Sequence, residues 1–250
     1  MPSKKRLSHG DFFLEDIHNY RINREHFTIY IGGDPVHQGN GFNEGLEPGV
    51  DYSMADRFEL NLDVLSSIDP TKPILINMAS CGGYMDAGMQ MFSAILTCPN
   101  PITVLATKHA RSMTSLIPLP ADKFVIRPPA TYMYHRGSYG IYSLDEEVET
   151  EDYERRKSHE LMMRIYVSRL KEQGKFSHMQ ERQIRSMLDN SLRKKINVYL
   201  TADEAVEWGF ADDVFDGNLD TLRTTTINHE RRQALMGVLR KSVTIDVKVS

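Results

Sequence analysis

Two short apolar runs, Pro73 to Asn77 and Ile102 to Ala106, each lead through a few residues into a turn and then a helical segment. The first enters Cys81-Gly82-Gly83, and Ala87 to Leu96 reads as the helix that follows. The second enters Ser112, after which Met113 to Ile117 has room for about one turn before Pro118 and Pro120 stop it. Phe27 to Ile31, Phe124 to Ile126 and Thr131 to Tyr134 add three more short strands. Strands that alternate with helices return to the same sheet through crossovers. The order therefore predicts an α/β fold with a mostly parallel sheet.

Helix signals fill the intervals. Ser53 with Asp56 has the form of a capping box, and Met54, Phe58, Leu62 and Leu65 then recur at helical spacing up to Asp69-Pro70. An acidic run from Asp145 to Asp152 precedes a helix with Leu161, Met162, Ile165, Tyr166 and Leu170 on one face and Gly174 as its stop. Ser177 with Gln180 opens another helix, and Thr201 with Glu204 opens a third that ends at Gly209. The Gly/Asn-rich stretch from Asp34 to Asp51 lacks the Gly-Lys-Ser/Thr ending of a phosphate loop and reads as a surface loop. The division that follows is a polar arm over 1–26, a domain over 27–216 and an extension over 217–250.

Composition excludes some roles. Thirty Lys and Arg against 34 Asp and Glu give a net charge of −4, so no global charge points to nucleic acid or an anionic membrane. Met1 to Gly10 carries Lys4, Lys5 and Arg6 but no apolar signal stretch follows, and no segment approaches the roughly 20 apolar residues needed to span a bilayer. Cys81 and Cys98 read as buried free thiols rather than a disulfide framework or a metal site. A cytoplasmic protein without metal or cofactor is the expectation.

Three features carry chemistry. Ser112 follows a buried strand at a helix start, where backbone N–H groups and the helix dipole can stabilise an oxyanion; a serine there also serves as a cap. His135 ends the strand Tyr132-Met-Tyr-His135 and is either a structural histidine or a general base for that serine. Gly82-Gly83 is either a plain turn or a place where a substrate backbone approaches closely.

Taken in order, Asn77…Ser80-Cys-Gly-Gly83…Ala87-Gly88-Met89, Ala110-Arg-Ser-Met113, Met133-Tyr-His135 and the block from Leu200 to Asp212 resemble ClpP, the proteolytic subunit of the Clp protease. The resemblance covers about Phe27 to Val214. It implies a ClpP/crotonase-like fold of repeated strand-strand-helix units with a protruding handle helix at about 137–175. It also implies Ser112 as nucleophile, His135 as base, and the N–H groups of Gly83 and Met113 as oxyanion hole. The family's partners would be unfolded polypeptides as substrates, further copies of the chain in stacked rings, and a separate ATP-driven unfoldase.

Departures from the family pattern accompany the match. Asn197 stands where the family has its triad aspartate, with Asp189 and Asp203 as fallback carboxylates. An asparagine carbonyl holds the imidazole tautomer but supplies no charge, and in Ser-His-Asp enzymes the Asp-to-Asn change lowers turnover about 10⁴-fold. Arg111 replaces a small residue before the nucleophile, as a source of lowered pKa values, a site for an acidic group or a surface ion pair. The readings are an endopeptidase ring, a virus-type capsid-maturation peptidase, and a catalytically weak ring subunit.

Overall fold

The computed structural model describes residues 9–32, 49–137 and 145–242. Most of the Asp34 to Asp51 loop, residues 138–144 of the Gly137 to Thr150 segment, and the tail from 243 lie outside the described residues.

Eight strands form one sheet among these residues: β1 (Ile22–Asn23), β2 (Thr28–Ile31), β3 (Ile74–Ser80), β4 (Ile102–Arg111), β5 (Lys123–Ile126), β6 (Thr131–His135), β7 (Asn197–Leu200) and β8 (Asp213–Val214). Its main path runs β1-β2-β3-β4-β5-β8. Every pairing is parallel except β1 with β2 and β6 with β7. β4 is the axis. Its first half pairs β5 through Thr103 to Ala106, and its second half pairs β6 through His109 to Arg111. The sheet therefore forks at the carboxyl end of β4, the end at which open parallel sheets place their ligand crevices.

Among the described residues seven α-helices accompany it: α1 (His9–Asn19), α2 (Tyr52–Ile68), α3 (Met85–Thr97), α4 (Asp145–Glu172), α5 (Glu181–Lys195), α6 (Ala202–Trp208) and α7 (His229–Arg240). The central strands are buried on both faces, as their unbroken apolar runs require: Ile74, Ile76, Met78, Val104, Ala106 and Phe124 are inaccessible on one face, and Leu75, Leu105 and Val125 are buried on the other.

Local signals were legible to different degrees. Thr201 and Glu204 cap α6 reciprocally, with Thr201 N–H donating to Glu204 Oε2 at 2.8 Å and Glu204 N–H to Thr201 Oγ1 at 3.2 Å. Ser53 does not cap α2; Asp51 does, accepting from Met54 N–H at 2.7 Å, so the helix begins before Ser53. Ser177 turns its hydroxyl back onto the Gly174 carbonyl at 2.9 Å, which leaves Gln180 and Gln183 to open α5.

The two flanks are built into the domain. Ile22 in the former arm is buried and lengthens the sheet through β1. In the extension, α7 sends Arg231 inward to Glu172 at 2.8 Å and Asp212 at 2.7 Å, while Arg169 of α4 reaches the same Asp212 at 2.7 Å. Burial pushes the Asp212 carboxyl up, but the two guanidinium groups outweigh it and hold the group at about 2.

Candidate active site

Ser112 leaves β4 with φ of 54°, in the left-handed region that a non-glycine residue enters at a cost of roughly 1–3 kcal/mol. Neighbouring contacts outweigh that cost. Thr114, two residues on in the short 3-10 turn Ser112–Ser115, accepts from Arg111 N–H at 3.0 Å and donates to the Ser80 carbonyl at 2.7 Å. The turn thus closes on both β3 and β4. Four residues of 3-10 helix carry little dipole, so the expected dipole contribution gives way to individual backbone N–H groups.

Gly82 and Gly83 permit this closure. A side chain at Gly82, whose φ is 105°, would place its Cβ 2.5 Å from Ser112 Cβ and 2.9 Å from Met113 N. At Gly83 a Cβ would fall 2.1 Å from the Val50 carbonyl oxygen. Val50 bridges Gly83 in parallel, with Val50 N–H donating to Gly82 O and Tyr84 N–H donating to Val50 O. Both ladder bonds belong to the neighbours of Gly83, because alternate N–H groups of an extended chain point to opposite sides. The turn reading of the glycine pair is met, and the backbone that approaches Gly83 closely here is that of Val50.

His135 ends β6, half-buried, with Nε2 2.7 Å from Ser112 Oγ. The antiparallel register of β6 and β7 puts Asn197 directly opposite it, which brings the Asn197 side chain beside the imidazole. Burial lowers the His135 pKa, and the neighbouring Asn197 amide offsets only part of that. The imidazole is therefore neutral at neutral pH and able to accept a proton.

The fallback carboxylates are elsewhere. Asp189 accepts from Arg185 at 2.9 Å and from Arg136 at 3.3 Å, and Asp203 is exposed in the first turn of α6. Among the described residues, no hydrogen bond joins either to His135. Among the described residues Arg111 forms no ion pair: its Nε and Nη2 donate to Thr131 Oγ1 at 2.9 and 2.7 Å, and its guanidinium lies over the Tyr199 ring. Cys98 is buried as expected; Cys81 is exposed, because the glycine turn it begins lies at the surface. Among the described residues, no group of three or more His, Cys, Asp or Glu could hold a metal ion, and no helix is long and apolar enough to cross a membrane.

The family profile described as Clp protease matches residues 45–218, more than half of the chain. The chain belongs to the Clp protease family. It is 29% identical over 176 residues to ATP-dependent Clp protease proteolytic subunit 1 of Protochlamydia amoebophila, covering 68% of this chain and 79% of that one. Proteolytic subunit 1 of Chlamydia abortus is 28% identical over 173 residues, covering 67% and 82% respectively. A solved structure of ClpP1 from Listeria monocytogenes, an Asn-to-Asp variant, superposes with a TM-score of 0.59 at 22% identity, over 80% of this chain and 96% of that one. The sheet and helices described above are thus the ClpP fold. These relatives are Clp protease subunits, and nothing in them supports a virus-encoded origin.

The sequence missed the residues that brace the serine turn. Thr114, Ser115 and Tyr166 lack a motif, and two of the three are only three residues or fewer from Ser112, where their polarity reads as ordinary turn composition.

Proposed function

We propose that the chain is a serine endopeptidase that hydrolyses peptide bonds of unfolded polypeptides inside an oligomeric ring. The observation that carries this reading is the 2.7 Å contact between Ser112 Oγ and His135 Nε2, with Asn197 on the other side of the imidazole. Ser112 Oγ attacks the peptide carbonyl while His135 Nε2 takes its proton; the oxyanion is met by Gly83 and Met113 N–H. The C–N bond then breaks as His135 returns the proton to the leaving amine. A water, deprotonated by the same imidazole, cleaves the acyl-serine ester and restores Ser112.

Assembly accords with a stripe on α2, where Leu60, Val64 and Ile68 are 64%, 42% and 55% exposed at successive helical turns. An apolar stripe of this kind suits burial against another copy of the chain. Family membership supports stacked rings and a separate ATP-driven unfoldase as partners.

A fluorophosphonate probe should label the protein once, at Ser112 by peptide mapping, and the native mass should be a multiple of the subunit mass. Absence of labelling from pH 6 to 9 would instead favour the catalytically weak ring subunit, the reading that Asn197 motivates. The pH profile gives an independent check. Because His135 must be neutral to accept the proton and its pKa is lowered, kcat/KM should fall on the acid side with an apparent pKa below the usual 6.5. A limb above that value would show that burial does not hold the imidazole low in the working enzyme.

A further inference from the structure

Ser115 and Tyr166 lie behind the nucleophile, both buried and outside the Ser112, His135 and Asn197 constellation. Ser115 Oγ donates to the Ser112 carbonyl at 2.6 Å, and Tyr166 Oη lies 2.6 Å from the same Ser115 Oγ. A serine hydroxyl has one proton. With that proton on the Ser112 carbonyl, Ser115 must accept from Tyr166, and the direction of the chain is fixed: Tyr166 to Ser115 to Ser112. Tyr132 Oη donates to the Ser115 carbonyl at 2.8 Å and holds the far side of the same turn.

Tyr166 belongs to α4, whose rotation is pinned one turn later. There Arg169 donates to two groups outside the helix, Asp212 at 2.7 Å and the Phe210 carbonyl at 3.2 Å. Phe210 in turn meets the Tyr166 ring edge-on at 5.6 Å between centroids. The Tyr166 hydroxyl can therefore follow only the position of α4 as a whole.

We infer that Ser115 and Tyr166 are positioning residues, which hold Ser112 in its left-handed turn and make the aim of its hydroxyl depend on where α4 sits. The inference rests on Ser112 being the nucleophile. Unlike Thr114, which ties the turn to the sheet, this pair ties it to a helix outside the sheet. A shift of α4 would then change the Ser112 to His135 contact without any movement of the strands.

The test compares Ser115→Ala, Tyr166→Phe and the double variant. Each single variant leaves a buried polar group without its partner, whereas the double variant replaces both by apolar groups of similar shape and should regain thermal stability. A positioning role predicts kcat lowered about tenfold in all three with KM unchanged, the double variant included. Recovery of kcat together with stability in the double variant would overturn the inference. The ring ¹⁵N signal of His135, assigned by loss in His135→Gln, reports the bond to Ser112 without turnover. It should shift in each variant; an unchanged signal in all three would also overturn the inference. If the unaltered protein neither hydrolyses peptides nor takes a fluorophosphonate, the peptidase reading fails, and the His135 signal still decides the positioning role.

Discussion

Asn197→Asp is expected to raise kcat for peptide hydrolysis by roughly 10²-fold with little change in KM. In the proposed mechanism His135 becomes an imidazolium as it takes the Ser112 proton, and the Asn197 amide beside that ring carries no charge. A carboxylate at the same place attracts the cation by on the order of 5 kcal/mol in a partly solvated site, less the cost of its own desolvation. A net gain of about 3 kcal/mol corresponds to the hundredfold expected. The ceiling of about 10⁴, known for the reverse change in Ser-His-Asp enzymes, includes a wrong imidazole tautomer. Asn197 avoids that part as long as its oxygen accepts from the ring, so the gain falls short of the ceiling. The substitution also adds an anion beside the imidazolium and should move the acidic limb of kcat/KM upward. Steady-state kinetics on an unstructured peptide measures both effects; an unchanged or lower kcat would show a site adapted to asparagine.

Arg231→Met is expected to destabilise the fold by about 3–5 kcal/mol, the usual cost of removing one partner from a buried charge network. Arg231 is 3% exposed and donates to Glu172, Asp212 and the Ala121 carbonyl. Methionine fills similar space but leaves that carbonyl unpaired and Asp212 with Arg169 as its remaining arginine partner. For a chain of this size the loss corresponds to a fall in thermal midpoint of about 10 °C. The sign of the pH dependence follows from Asp212. Its carboxyl is depressed from 3.8 to about 2, so its contribution is fully present above pH 4 and is lost as the pH falls through 2. The difference between Arg231→Met and the unaltered chain should accordingly be constant near neutrality and narrow between pH 4 and pH 2. A midpoint within 2 °C of the parent at pH 7 would mean that α7 is held by apolar packing alone.

What could be read in the sequence depended on the range of the interaction. Strands β3 and β4 and helix α6 were legible because apolar runs and the Thr201 to Glu204 box act over a few residues. Ser53 was misread because Asp51 caps the helix two residues earlier, through Met54 N–H, and Ser177 because Gln183 takes the Gln180 N–H that a Ser177 cap would have bound; composition decides neither contest. The buried network joins residues 122, 169, 172, 212, 231 and 232, which share no spacing, so the extension looked like an appendage. The positions of Ser112, His135 and Asn197 came through resemblance; their mutual distances required the fold. Ser115 and Tyr166, 51 residues apart, are linked only through packing.

His135 and Asn197 occupy one rung of the β6 and β7 ladder. The distance between base and third member is therefore a property of main-chain pairing, set before either side chain is chosen. A one-residue slip of β7 would present Val198 or the residue before Asn197 instead and turn position 197 to the opposite face. Conversely, exchanging amide for carboxylate at the exposed position 197 leaves every strand hydrogen bond in place. On the proposed mechanism, catalytic strength would be dialled by a single codon, while the architecture that aims the imidazole is inherited unchanged.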